Sequence, residues 1–586
     1  MISASCRFMK YLNGHIYGNL AAGCTFTLFM NYPEIIHAQQ VILLFKERGV
    51  KHIVISPGSR NAPLTIGFSA NPFFTCYSIV DERCAAHVAL GMAQQLQAPV
   101  AVLCTSGSAL LNYYPAVAEA FYSEIPLVVL SADRPSHKID IGDGQTIRQQ
   151  HVFANHILFD TQLEVISDAS EVEKIATNER LINKALTVAM RQPGPVHINI
   201  PFEEPLYNTV ATPAVTVKYI ETRDSERHEI PTLFLEQWRA AKRKLVILAT
   251  LNPPVFNKED LDALTSDPSV LVMSEVSSNT FHDKIIWGID TLIAPIEHED
   301  DQIADLQPDL VITIGGMIVS KKIKQYLRKF HTKVHYHVGK RRAYDTFFKL
   351  NSHIKIAPAQ WVAALPKTFQ ESIYQRRWLD HFNGYLEKRK IYFNNMPWSD
   401  FKAMQLIFNA LPDNIMLQLG NSSTIRYAQL FHMNATHTVY SNRGTSGIDG
   451  STSTAIGAAM VQGKPTAFIT GDLSFFYDSN GLWNNYIPAN FKIIVINNSG
   501  GGIFRILPTD KNSASFETYF ETVHKLNASY LCAMHGLDYH RCDGELAFAK
   551  AYKALASNNS KPQLLEIFTP RLANDTVLLD YFKFLR

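Results

Sequence analysis

Short apolar runs separated by helical stretches recur along most of the chain. From Asn31 to about Leu206 the runs His52–Ile55, Val100–Cys104, Leu127–Ser131 and Val196–Ile200 predict strands, with helices between them. Runs of this kind, bounded by helices, fit parallel strands covered on both faces. Pro201-Phe202-Glu203-Glu204-Pro205 closes this unit, and a Pro- and Thr-rich linker follows to about Pro231. The pattern resumes with Lys244–Leu248, Val270–Met273, Leu310–Ile314 and Lys333–Val338, and a long charged helix is expected over Tyr374–Lys390. In the last unit, Ala467–Thr470 and Ile493–Ile496 read as strands. The expected fold class is therefore α/β, with three doubly wound parallel-sheet domains at 31–206, 232–370 and 395–586 behind an extension at 1–30. Ligands in such sheets sit beyond the carboxyl ends of the strands.

Two strand ends carry candidate chemistry. Gly471-Asp472-Leu473-Ser474 follows one predicted strand, and Asn497-Asn498-Ser499-Gly500-Gly501 follows the next. Asp472 and Asn498 thus offer hard oxygen ligands on one sheet edge, suited to Mg²⁺ or Mn²⁺ sharing its shell with phosphate oxygens. Glycines after Asn498 allow close backbone approach, so Gly500 can add a carbonyl or N–H. Far away in sequence, Tyr77–Arg83 reads as a short strand running into a helix over Cys84–Ala93, with Glu82 at the junction. A carboxylate there is by default a first-turn residue favoured by the helix dipole.

Composition narrows the partners. The 586 residues carry a net charge of only +2, which argues against a general nucleic-acid surface while leaving room for a basic pocket. Seven cysteines without a CxxC pair favour neither a zinc ribbon nor a disulfide framework, and point to a reducing, cytoplasmic setting. No apolar run approaches the roughly 18–20 residues needed to span a bilayer. In the first thirty residues Asn13, Gly14, His15 and Gly18 interrupt any signal-like apolar core, and Met30 is the expected functional start.

The Asp472/Asn498 spacing resembles the diphosphate–metal motif of thiamine-diphosphate (ThDP) enzymes, and Glu82 stands where that family carries the glutamate that holds the aminopyrimidine ring. Beyond residue 30 the whole chain is most similar to the 2-succinyl-5-enolpyruvyl-6-hydroxy-3-cyclohexene-1-carboxylate synthases. The matching segments are Ser56–Arg60, Thr105–Ser108, Ala132–Pro135, Gly420–Ser422 with Arg426, Asn442–Gly444, Gly447–Gly450 and Gly500–Phe504. Leu473, in place of the more usual Gly, also looks like this subfamily.

The resemblance implies a pyrimidine-binding first domain and a diphosphate- and metal-binding third domain. It implies ThDP-dependent decarboxylation of 2-oxoglutarate and conjugate addition of the resulting succinic semialdehyde–ThDP carbanion to isochorismate. It assigns Glu82 to catalysis, Ile448, Asp449, Asp472, Asn498 and Gly500 to the cofactor, and Asp472, Asn498 and Gly500 to the metal. Ser59, Arg60, Arg134, Gln145, Lys321, Ser422, Arg426, Arg443, Ile503 and Phe504 are assigned to substrate. Such enzymes clamp the cofactor between domains of two protomers, so a homodimer or homotetramer is expected. Several arginine forks suit two substrates that together carry four carboxylates.

Two departures stand out: Asp143 replaces a frequent Asn before Gly144-Gln145, and Lys322 replaces a frequent Arg beside Lys321. His87, His151 and Cys104 are expected to be structural. Two alternatives remain open on sequence: another ThDP-dependent decarboxylase or carboligase of the acetolactate-synthase type, and a non-catalytic module of the same fold.

Overall fold

In the computed structural model, residues 31–220, 229–330, 333–506, 510–557 and 560–586 are described, and the expectations for residues 1–30 and Met30 lie outside them. These residues build three six-stranded sheets, each wholly parallel, and one antiparallel ribbon that pairs Tyr32–Pro33 with Thr209–Val210. The first sheet runs, edge to edge, Thr75–Ser78, His52–Ile55, Val100–Cys104, Leu127–Asp133, Val196–Pro201 and Phe159–Gln162. The third runs Thr438–Tyr440, Met416–Leu419, Thr466–Gly471, Phe491–Asn497, Gln563–Phe568 and Asp538–Cys542. Counted along the chain, both have strand order 2-1-3-4-6-5. The central sheet has order 3-2-1-4-5-6, the dinucleotide-fold order, and spans Lys244–Leu248 to Leu350–Ile354.

Unbroken apolar runs belong to inner strands, although inner strands such as Val196–Pro201 and Val334–Val338 also bury polar side chains. Val100–Cys104, Lys244–Leu248 and Leu310–Ile314 are buried along their whole length, because helices cover both faces. The expected strand at Lys333–Val338 starts at Val334, and the charged helix extends from Tyr374 to Asn395. Edge strands such as Leu350–Ile354 and Asp538–Cys542 mix polar and apolar residues, being only partly covered. Both outer sheets change winding direction between their first and third strands, so a crevice opens at that point in each.

The two outer sheets are joined by a pair of helices, Glu82–Leu96 and Ser451–Gln462, that lie almost backbone to backbone. A Cβ on Gly91 would stand 2.0 Å from the Thr454 carbonyl oxygen, and one on Gly457 would stand 2.0 Å from that of Val88. Only hydrogen atoms fit between these segments. Arg83 reaches the Asp449 carbonyl at one end of the pair, and Gln462 donates to Gln95 at 2.8 Å at the other.

This crossing generates a contrast between two glycines. Gly457→Ala should destabilise the chain by about 1–3 kcal/mol or more, because rigid backbone faces the new methyl group. Gly384→Ala lies inside the helix Tyr374–Asn395 with nothing within 4 Å, and should stabilise by up to about 1 kcal/mol. Thermal melts of the two variants beside the parent check both signs.

Candidate active site

Asp472 is the first residue of a short helix at the end of Thr466–Gly471, and is buried. Its Oδ1 accepts from Leu473 N at 2.7 Å and its Oδ2 from Gly500 N at 3.0 Å. The neighbouring strand Phe491–Asn497 delivers Asn498, whose Nδ2 donates to Asp400 Oδ2 at 2.7 Å. That bond fixes the amide so that its carbonyl oxygen, Oδ1, is buried with no hydrogen-bond partner among the described residues. A carboxylate and an unsatisfied amide oxygen on adjacent strand ends are a fitting donor set for a hard divalent cation. Asp400 is pushed up to about 6, first by burial and further by Asp472.

The backbone around these groups is held in uncommon conformations. Ser422 and Ser499 have φ of +69° and +64°, and Gly500 has +154°. A Cβ at Gly500 would lie 2.6 Å from the Glu521 carbonyl oxygen, so glycine is required there. Ser422, Ile448, Asp472, Asn498, Gly500, Ile503 and Phe504 line one cavity of about 170 Å³. Asp449 does not line it; its carbonyl is taken by Arg83.

Glu82 opens the helix Glu82–Leu96, yet it is Asp81 that caps it, accepting from Cys84 N at 3.1 Å and from Asn480 at 2.8 Å. The Glu82 carboxylate is half-buried beside Cys104 and Tyr113 and forms no hydrogen bond or ion pair with another described residue. It is a carboxylate at a helix start with its acceptor capacity unspent. Arg134 donates to Ser106 Oγ at 2.6 Å and to the Gln145 carbonyl at 2.7 Å, and Gln145 itself has φ of +57°. Arg60 is committed to Phe202 O and Glu204, each at 3.1 Å, while Ser59 is exposed. None of these first-sheet residues lines the Asp472 cavity.

Arg443 and Arg426 are brought together beside that cavity. Arg443 donates to Asn421 Oδ1 at 2.8 Å and Arg426 to the Ser422 carbonyl at 2.9 Å. From the helix Tyr114–Ser123 of the first unit, buried Glu119 accepts from Gly444 N and Thr445 N, both at 2.7 Å, and so clasps the loop that carries Arg443. Lys321 is exposed at the start of the helix Lys321–Lys329, whereas Lys322 is engaged with Glu297 at 2.7 Å. His87 binds the Arg83 carbonyl at 2.9 Å, exposed His151 lies 3.5 Å from Asp160, and the buried Cys104 thiol is pushed up by burial.

Sequence reasoning missed Asp400, Glu119 and His524. The first two look like ordinary helix carboxylates, and the donors they accept from lie on distant segments. His524 Nε2 lies 3.1 Å from Asp472 Oδ2, although the angle does not make a hydrogen bond, and no local pattern marks it.

Comparison with known proteins agrees with this arrangement. Residues 37–162 match the thiamine pyrophosphate enzyme N-terminal TPP binding domain, and residues 420–567 match the C-terminal TPP binding domain. The chain is 53% identical to the 2-succinyl-5-enolpyruvyl-6-hydroxy-3-cyclohexene-1-carboxylate synthase of Flavobacterium psychrophilum, over 94% of this chain and 100% of that protein. The same-named protein of Christiangramia forsetii is 50% identical over 95% and 100%, and that of Cytophaga hutchinsonii 37% over 92% and 96%. Identity of this level over nearly the full length of each relative, with Glu82 inside one matched TPP domain and Asp472 and Asn498 inside the other, shows that the chain belongs to the 2-succinyl-5-enolpyruvyl-6-hydroxy-3-cyclohexene-1-carboxylate synthase family of thiamine-diphosphate enzymes.

Proposed function

We propose that this enzyme decarboxylates 2-oxoglutarate and adds the remaining succinic semialdehyde unit to isochorismate by conjugate addition, in the biosynthesis of menaquinone. The observation that carries the reading is the buried, unpartnered Asn498 Oδ1 beside Asp472, in a chain whose two matched domains bind thiamine diphosphate. The chain's units at 31–206 and 395–586 are taken as the pyrimidine and diphosphate domains, with 232–370 between them. Asp472, Asn498 and the Gly500 backbone would hold a divalent cation, Mg²⁺ or Mn²⁺, and through it the diphosphate. Ile448 and Asp449 would border the cofactor, and Glu82 would bind its aminopyrimidine ring. The bound cofactor supplies the ylid carbon and electron sink that loss of CO₂ from a 2-oxo acid requires.

The remaining work belongs to fixed cations and walls. Arg60, Arg134, Lys321, Arg426 and Arg443 would bind substrate carboxylates, with Ser59, Gln145 and Ser422 as neutral partners. Ile503 and Phe504 would form an apolar side that keeps water away. Holding two reactants at close range can contribute about 7–11 kcal/mol, and that is the role assigned to this set. A small-substrate reading of the acetolactate type, with one carboxylate per reactant, would not need so large a cationic set.

We further infer a homodimer or homotetramer working in the cytoplasm. Glu82 does not line the Asp472 cavity of its own chain, and exposed Val80, Leu111, Tyr477 and Trp483 offer apolar surface. Among the described residues no helix is long and apolar enough to cross a membrane.

Turnover assays with ThDP and Mg²⁺ test the reaction directly: 2-oxoglutarate with isochorismate should give product, and preference for pyruvate would overturn the assignment. Glu82→Gln should nearly abolish turnover while calorimetry shows ThDP affinity largely kept, since the change removes a charged acceptor without removing a metal ligand. Asp472→Ala should instead weaken ThDP binding in the presence of Mg²⁺. Sedimentation at micromolar concentration should show a dimer or larger, and an active monomer would refute the shared site.

A further inference from the structure

Glu275 follows the central-sheet strand Val270–Ser274 and is buried, with 1% of its surface exposed. Its Oε1 accepts from Val319 N and Ser320 N, both at 3.0 Å. Those two residues lead directly into the helix Lys321–Lys329, whose first turn Ser320 caps by accepting from Ile323 N at 3.2 Å. Ser320 Oγ also donates to the Asp290 carboxylate. The other oxygen of Glu275, Oε2, is buried without a hydrogen-bond partner among the described residues. Arg443 likewise keeps its Nε buried and unpartnered.

The groups that act on this carboxylate come from several elements. Asp290 on the helix Ile289–Ile296, Lys324 on the helix Lys321–Lys329 and Arg443 on the third-sheet loop all interact with it through space. Behind them, Arg426 faces both Asp290 and Arg443, Lys322 faces Asp290, and Glu119 faces Arg443. His282 and His432 line a small cavity together with residue 275.

We propose that Glu275 is a positioning residue for substrate recognition: its ionised carboxylate holds the Val319–Ser320 backbone, and with it Lys321, in register with Arg443 of another sheet. The assignment rests on the reading of Lys321 and Arg443 as substrate cations. A buried carboxylate with one oxygen unsatisfied is a standing cost, and an amide or an apolar side chain would avoid it. The carboxylate does what neither could: it strengthens two backbone hydrogen bonds by its charge and supplies a counter-charge to a buried guanidinium.

Burial pushes the Glu275 carboxyl up to about 7, with Asp290 acting in the same direction and the Ser320 and Val319 N–H groups and Arg443 against it. Above that pH the side chain is the anion, and below it the neutral acid accepts the two backbone bonds more weakly and no longer balances Arg443. Substrate carboxylates, with ordinary pKa values near 4, do not titrate in that window. The linkage to folding runs the other way. A carboxyl raised in the folded state contributes stability that is full below its unfolded pKa and is lost as pH rises through about 7.

The experiment measures kcat and KM for both substrates in the holoenzyme between about pH 6 and 8, with thermal midpoints alongside. Wild-type KM for at least one substrate should rise as pH falls through the neutral range. Glu275→Gln should raise that KM about tenfold at the upper pH, change kcat less, and flatten the pH dependence. Its thermal midpoint at the upper pH should equal or exceed that of the parent, because the buried charge is gone. Glu275→Asp retains the charge and should retain the pH dependence. Unchanged KM in Glu275→Gln, a pH profile parallel to wild type, or a fall in midpoint with kcat and KM lost together would overturn the assignment. Absence of wild-type turnover with 2-oxoglutarate and isochorismate would instead defeat the functional reading, and this one with it.

Discussion

The fold depends on the contact of two helices with almost nothing between them. Gly91 and Gly457 let Glu82–Leu96 and Ser451–Gln462 approach until a methyl group on either would meet a carbonyl oxygen. Dispersion and close packing act over the whole length of such a contact, and a backbone-to-backbone fit has no rotamers through which to adjust. Glu82 stands at the start of one helix, and Ile448 and Asp449 lead into the other. The positions of the two segments proposed to face the cofactor are thereby set by the same pair of glycines. A small slip at the crossing would be carried rigidly to both.

Around Arg443 the constraint is electrostatic. A guanidinium this buried loses hydration, which lowers its affinity for a proton, and Arg426 adds a like charge nearby. Glu275 from the central unit and Glu119 from the first oppose that cost from two sides. Glu119 is fully engaged by the Gly444–Thr445 backbone, the Thr445 hydroxyl and Ser123, whereas Glu275 retains an unsatisfied oxygen and is pushed up to about 7 by burial. Three units thus meet electrically at one side chain. Such a junction gives little net stability, since desolvation takes back much of the attraction, but it fixes geometry.

Most inner strands were legible in the sequence because burial on both faces favours apolar runs, as in Leu127–Ser131 and Lys244–Leu248. The inner strands Met416–Leu419 and Gln563–Phe568, interrupted by Gln418 and Glu566, were not. Edge strands such as Leu350–Ile354 and Asp538–Cys542 escaped as well, because one open side admits His, Asn and Arg. Asp472 and Asn498 could be read as a pair because strand ends bring short-range motifs to one edge. Asp400, which orients Asn498, could not, since a Ser-Asp helix start has a sufficient local explanation. The same holds for Glu275, whose partners lie on a loop far along the chain. Local pattern identifies groups at strand ends, and tertiary neighbours decide which of them hold the others in place.

The shared strand order of the outer sheets has a consequence for comparing their parts. After the first strand of each, a glycine presses on a threonine at the end of the third: Gly58 against Thr105, and Gly420 against Thr470. A residue's address in one outer sheet can therefore be looked up in the other. At that address the first sheet places Ser59 and Arg60, the third Asn421 and Ser422. The chain carries its own internal control. Exchanging these loops between the two halves asks how far the scaffold, rather than the side chains mounted on it, dictates which part of a ligand each crevice accepts.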